Sequence, residues 1–385
     1  MRSEKVVLPL LLFAAFLTFA DRAVLPPLFT TVAVEFAVDP AVVAIAMTAY
    51  VAAYAIGQLG WGIASTRLGR IRVIVLALVV ASLGQFGTAV AWDPVSLAVA
   101  RIVAGAGFAA IVPAALVWIG DHLDLRSRGV AAANLAAALS LGMTAGTLGA
   151  AFAGDLGVWR LVPIGATVLG VVLAVLFARV REPAPAAPSQ PVLAGFRVVL
   201  GDPWAVTVLA LTLVEGALLV GVLSYLPLAA EQAGAGTLVA GLVTSVYGVA
   251  VIGWSLLVRV VVRRIGGSVM LGIAGAAILA GYALLAVRAD AATVAVAALL
   301  LGLAWATGHI QLQVWMSDAV LRSRPIGMAL FAVALFGGGA IGAGLGGLAV
   351  AGGRLGLLFA VAAVAGGAFM IAAPVSRAGY REREA

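Results

Sequence analysis

The sequence predicts an all-α membrane protein: twelve transmembrane helices in two pseudo-symmetric six-helix bundles. Three observations carry that reading. Of 385 residues, 64% are hydrophobic and only 10% charged, whereas a soluble domain is about a quarter charged. Glycine, proline and charge clusters cut the chain into twelve apolar runs, each long enough at about 20 residues to span a bilayer. A pattern of Trp, Asp and Arg-Ser-Arg in the first half recurs at matched positions in the second.

The runs lie near 7–31, 41–64, 71–91, 94–119, 129–153, 158–179, 204–229, 237–262, 267–287, 291–316, 326–350 and 355–374. The first follows Met-Arg-Ser-Glu-Lys and is too long, with no convincing cleavage site, for a signal peptide. Of the 23 Lys and Arg, the ends on one side take 18, from Arg2 and Lys5 to Arg381 and Arg383. The opposite ends take Arg160, Arg288 and Arg354, and Arg22 and Arg101 lie inside runs. The positive-inside rule makes the rich side, with both termini, cytoplasmic, and the expected location is the bacterial inner membrane. The formal net charge of +7 therefore marks orientation in a lipid bilayer and predicts no nucleic-acid partner. There is no cysteine and there are two histidines, so neither thiol chemistry nor a histidine-rich metal site is expected. No cofactor is expected. A monomer is.

Between the sixth and seventh runs, Arg181-Glu-Pro-Ala-Pro-Ala-Ala-Pro-Ser-Gln-Pro191 reads as an extended linker. It divides the chain into 1–180, a cytoplasmic linker 181–203, and 204–385. Val117-Trp118 with Asp121 and Arg126-Ser127-Arg128 recurs across it as Val314-Trp315 with Asp318 and Arg322-Ser323-Arg324. Tyr54, Gly60 and Trp61 recur as Tyr247, Gly253 and Trp254, and Arg67-Leu-Gly69 as Arg264-Ile-Gly266. Parallel repeats of this kind place a binding site near the midplane, between the halves.

Ionisable residues deep in the runs are Asp21, Arg22, Arg101, Glu215 and His309, on the first, fourth, seventh and tenth. Such groups inside a membrane mark a bundle interior or a water-filled path. At 1.5 Å per residue, Asp21 lies about 15 Å and Arg101 about 10 Å from the outer side, so the two can meet. Glu215 and His309 lie about 16 and 10 Å from the cytoplasmic side and can share the inner half. Burial raises a carboxyl pKa and a nearby Arg lowers it. Asp21 beside Arg22 and Arg101 is therefore the first choice of proton carrier, and Glu215 the second. Gln313 lies one helical turn from His309, and Thr212 one turn before Glu215. Tyr50, Tyr54, Gln58, Tyr247, Trp305, Gln311 and Gln313 are further cavity candidates with His309.

Gly62-Ile-Ala-Ser-Thr66-Arg67-Leu-Gly69-Arg70-Ile-Arg72 resembles the loop signature of the major facilitator superfamily, Gly-x-x-x-Asp-Arg-x-Gly-Arg-Arg. Thr66 stands at the usual Asp. Arg101-Ile-Val-Ala-Gly105-Ala-Gly107 resembles that family's fourth-helix pattern. Gly142-Met-Thr-Ala-Gly146-Thr147-Leu-Gly149 resembles the fifth-helix motif of its antiporters, with Thr147 at the proline position. The resemblance implies that the first, fourth, seventh and tenth helices line a central cavity. It also implies a conformational switch involving Gly62, Arg67, Gly69, Arg70, Gly142, Gly146 and Gly149. Gly62 is expected to let two helices approach closely, Gly69 to permit a tight turn, and the glycines of the fifth helix to let it pack closely and slide.

The chain is thus identified as most like the twelve-helix drug/proton antiporters: a proton-coupled exporter of a small amphipathic organic compound. The alternative is proton-coupled uptake of an organic anion or lysolipid-like substrate. An Asp-Arg pair in the first helix also resembles anion symporters and sphingolipid-type transporters, and Arg22 with Arg101 could clasp an anion. Anion symporters often carry a Glu where Phe108 stands. No Gly-x-x-x-x-Gly-Lys-Ser/Thr loop is present, so an ion gradient, not a nucleotide, is the expected energy source. An intramembrane enzyme is disfavoured because His309 has no acidic partner on its own helix.

Overall fold

A computed structural model describes residues 4–180, 192–261 and 265–380. Among them, twelve helical spans are long and apolar enough to cross a membrane. We label them α1 (Val6–Phe36), α2 (Pro40–Ser65), α3 (Arg70–Ala89), α4 (Pro94–His122), α5 (Ser127–Asp155) and α6 (Leu161–Ala178). The second set is α7 (Pro203–Gln232), α8 (Thr237–Val260), α9 (Gly267–Val287), α10 (Ala291–Ala319), α11 (Arg324–Ala351) and α12 (Leu355–Gly379).

The starts follow from local chemistry. Asp39-Pro40, Asp93-Pro94 and Asp202-Pro203 each place an Asp N-cap before a proline at the first helical position. The carboxylate accepts orphan backbone N–H groups while proline gives up a hydrogen bond the helix does not need there. Asp93 and Ser96 complete a reciprocal capping box. Asp124 and Asp290 cap the starts of α5 and α10 without a proline, on Ser127 and Thr293. Between α2 and α3, Gly69 turns the chain at φ 88°, a conformation that suits glycine because it has no Cβ.

The chain divides into two compact units, Met1–Ala187 and Pro188–Ala385. In the first, α1 packs on α5, α2 on α4, and α3 on both α4 and α6. In the second, α7 packs on α11, α8 on α10, and α9 on both α10 and α12. The two units therefore repeat one packing scheme. Its details repeat as well. Trp61 Nε1 donates to the carbonyl of Ala106 at 2.6 Å, and Trp254 Nε1 to that of Leu299 at 3.1 Å. Each tie joins the second helix of its unit to the fourth.

Two boundaries differ from those expected. α1 does not stop near residue 31: a 3₁₀ turn at Pro26–Leu28 bends it, and helix resumes over Phe29–Phe36. Proline at the start of the resumed segment needs no N–H partner, so Pro26-Pro27 bends the span without ending it. The interval 181–203 holds a helix, Val192–Leu200, that packs on α11 and α7. Gly195 meets Ile326 there; the sequence is already apolar once the Pro-Ala stretch has passed. That stretch, 181–191, lies outside the described residues.

Candidate functional site

Each unit buries one acidic cluster. In the first, Asp21 and Arg22 end the initial helical segment of α1, Glu4–Arg22. Asp21 Oδ1 accepts from Arg101 Nη1 at 2.7 Å, and both side chains are fully enclosed. Arg101 Nη2 also donates to the Asp21 carbonyl at 3.2 Å. One guanidinium thereby satisfies a helix-terminal carbonyl and a carboxylate together, a pairing that favours Arg over Lys. Gln85 on α3 donates its amide N–H to the same Oδ1. The Arg101 guanidinium lies 4.2 Å over the Tyr50 ring, and Tyr50 stacks on Tyr54 at 6.2 Å. Arg22 lies 5.1 Å over Phe19 and interacts electrostatically with Tyr54. Arg101 Nε is buried without a hydrogen-bond partner, and the Tyr50 hydroxyl lies close enough to the Asp21 carboxylate to interact with it.

The second cluster joins α7 to α10. Glu215 ends the regular segment Pro203–Gly216 but one, just before a π turn at Ala217–Gly221. His309 is the last residue of another π turn, Trp305–His309. His309 Nδ1 lies 3.1 Å from Glu215 Oε2, and Gln313 Nε2 lies 3.1 Å from His309 Nε2. Trp305 stacks on the imidazole at 4.1 Å, and Phe331 of α11 tilts against it at 5.5 Å. Glu215 Oε1 and Thr212 Oγ1 are buried without a hydrogen-bond partner.

Glycines fix the helix that carries each acid. A Cβ on Gly142 or Gly146 would collide with the carbonyl of Phe16 or Ala20, so α5 meets α1 backbone to backbone one residue before Asp21. A Cβ on Gly338 or Gly342 would likewise collide with the carbonyl of Leu213 or Ala217, on either side of Glu215. Gly105 packs on Tyr50 and Gly107 on Ala81 in the same manner.

Several expected site residues fall elsewhere. Gln311 lies beside Gly267 and Arg377, away from Glu215; two residues on from His309, it projects from the opposite face of α10. A Cβ on Gly62 or Gly149 would meet nothing within 4 Å, so neither makes the close helix contact expected of it. Gln58 and Tyr247 are buried on α2 and α8. Arg70 forms an ion pair with Asp121 at the end of α4, with both side chains partly exposed. The Arg67 side chain lies outside the described residues.

Gln85 and Phe331 were not among the expected residues. Gln85 lies on the third helix, which was not among those expected to line the cavity, although with Ser82 and Thr88 it forms a visible polar stripe on α3.

A sequence model of the Major Facilitator Superfamily matches residues 11–343. The chain belongs to that family: it is a multi-pass membrane transporter and not an enzyme. No curated protein sequence is a significant match. Solved structures resemble it over nearly its whole length. A mutant of the nucleoside transporter NupG has a TM-score of 0.79 at 13% identity, covering 97% of this chain and 100% of that one. A D-xylose-proton symporter reaches 0.77 at 17% identity, covering 96% and 97%. A bacterial homolog of the human lysosomal transporter Spinster, inward-facing and unoccupied, reaches 0.73 at 17% identity, covering 98% of each chain. At these identities the likeness is one of fold.

Proposed function

We propose that this chain is a proton-coupled secondary active transporter that exports a small amphipathic organic compound by alternating access, with Asp21 as the coupling acid. The observation that carries the reading is the fully enclosed Asp21–Arg101 pair. A proton on Asp21 removes the charge that holds Arg101 and leaves a buried cation uncompensated. That state is costly unless the guanidinium finds another partner. Proton binding is thereby tied to rearrangement around Arg101, which is what coupling requires. The glycine seam between α5 and α1, next to Asp21, carries the antiporter-like motif. We take the transporter to act as a monomer in the bacterial inner membrane with both termini cytoplasmic, without nucleic acid or cofactor, driven by the proton gradient.

A second reading is proton-coupled uptake of an organic anion. Arg22 and Arg101 are both buried in the first unit, and guanidinium groups suit paired hydrogen bonds to a carboxylate or phosphate. The names of the similar structures include a proton symporter.

Proteoliposomes with an acidic lumen separate the two. Export predicts that ethidium, as the amphipathic probe, accumulates inside while protons leave, and that Asp21→Asn abolishes the coupled flux. Benzoate moving in the same direction as the proton would instead establish the second reading. Coupling that survives Asp21→Asn would remove Asp21 from the mechanism.

A further inference from the structure

We propose that Glu215 and His309 form a second proton-binding site, confined to the unit Pro188–Ala385, that loads a proton without breaking an ion pair.

The geometry sets the starting state. With the Gln313 amide nitrogen donating to His309 Nε2, that ring nitrogen is an acceptor, so the neutral imidazole carries its hydrogen on Nδ1 and donates it to Glu215 Oε2. Glu215 is then a buried carboxylate with one accepted hydrogen bond and with Oε1 unsatisfied. Oε1 faces Gly308 on α10, where a Cβ would come to 3.6 Å. No group of three or more metal-ligating side chains gathers among the described residues.

The loading step balances with bonds to hydrogen alone. A proton from water adds at His309 Nε2 as the Gln313 amide turns its oxygen toward the new N–H. The Nδ1–H bond breaks, an O–H bond forms at Glu215 Oε2, and the imidazole is neutral again in its other tautomer. The site goes from one negative charge to none. Removing an isolated charge from a low-dielectric interior is favourable, whereas protonating Asp21 strands Arg101. Release runs the same steps in reverse, through the Gln313 side.

The surroundings isolate the site. His309 is the one ion-pair partner of Glu215 among the described residues. On the packed helices, Tyr282 of α9 donates its hydroxyl to the Leu218 carbonyl at 2.5 Å, and Tyr247 of α8 interacts electrostatically with Tyr282. Arg259 of α8, Arg324 of α11 and Arg377 of α12 stand in the terminal turns of their helices. The two π turns point the same way. Such turns are rare and concentrate at functional sites, and here one follows Glu215 and the other ends on His309.

The chain has two histidines, so His122→Gln leaves His309 as the sole imidazole. Histidine-ring ¹⁵N spectra of that full-length variant in lipid nanodiscs are then followed from about pH 5 to 8. The expected result is that both ring nitrogens exchange state together as pH falls, the hydrogen moving from Nδ1 to Nε2 on a ring that stays neutral, and that Glu215→Gln abolishes this exchange, because the carboxylate that takes the Nδ1 hydrogen is gone. A ring locked in one state across the range overturns the proposal, as does a titration unmoved by Glu215→Gln. Infrared spectra of glutamate-labelled chain without the Glu215 substitution provide a check should that variant not fold: acidification must produce a protonated carboxyl band that exchanges slowly into heavy water, and its absence overturns the site. In Asp21→Asn the His309 titration stays unchanged; a displaced titration would refute a site confined to this unit. The outcome is independent of whether Asp21 couples transport.

Discussion

The acidic clusters of the two units occupy repeat-related helices but not repeat-related positions. Gly142 and Gly146 correspond to Gly338 and Gly342 at an offset of 196, and their contacts Phe16 and Ala20 to Leu213 and Ala217 at 197. In that register Asp21 corresponds to Leu218 and Glu215 to Thr18, while the Trp61–Ala106 and Trp254–Leu299 ties make Val294 the counterpart of Arg101. The frame is shared and the chemistry is not inherited with it. One unit pairs its acid with a guanidinium that never deprotonates, the other with an imidazole that does. The first arrangement resists a proton until Arg101 is re-partnered; the second can accept one in place.

The strongest way to break this comparison is to remove each acid. Asp21→Asn should destabilise the protein by about 3 kcal/mol, because Arg101 is left buried and uncompensated. In the Asp21→Asn, Arg101→Gln double variant much of that loss should return, as measured by thermal unfolding in nanodiscs. Glu215→Gln, which leaves only a neutral imidazole, should cost about 1 kcal/mol. Equal losses at the two sites would show that His309 is already cationic.

The shared frame gives the next effect. Gly146→Ala and Gly342→Ala should each destabilise by roughly 1–3 kcal/mol, since the new Cβ overlaps a backbone carbonyl. Gly149→Ala, in open space, should lie within about 0.5 kcal/mol of the parent. A neutral Gly146→Ala would mean that α5 does not hold α1. Trp61→Phe and Trp254→Phe should each cost about 1 kcal/mol for one hydrogen bond. A large difference between the two would break the equivalence of the units.

The smallest effect concerns pH. Asp93 is held below the usual carboxylate range by the Ser96 side chain and then its N–H. Asp290 is held down by the Thr293 N–H and then its hydroxyl. Both lie between spans and are partly exposed. A lowered folded pKa contributes stability that is complete above the unfolded value and is lost as pH falls through the folded one. Acid unfolding of Asp93→Asn and Asp290→Asn should therefore be shallower below about pH 4, and to the same degree in each.

Much of this was legible in the sequence because a bilayer enforces it. Apolar length with breaks at Gly, Pro and charge clusters marked the spans, and the depth of the buried charges brought Asp21 to Arg101 and Glu215 to His309. The remainder depended on rotation about helix axes, which an inventory of residue types does not carry. Gln85 was passed over because it lies on the third helix, outside the first, fourth, seventh and tenth expected to line the cavity. Gln311 stands about 200° around the helix from His309, so it does not join the Glu215 cluster. Gly62 and Gly149 were assigned close contacts from a motif, but whether a glycine touches a neighbour depends on which way its Cα faces. The bend at Pro26-Pro27 was invisible because proline can begin a helical segment as well as end one.

The π turn at Trp305–His309 also bears on how this site could be gained or lost in descent. A π turn holds one residue more than an α turn. Deleting a single codon there would let α10 close into a regular helix. Residues on one side of the deletion would rotate by about 100° relative to those on the other, parting His309 from Glu215 or Trp305 from the imidazole while the span remained long enough to cross. A one-residue deletion in this turn is thus expected to lose the Glu215–His309 dyad while keeping the span.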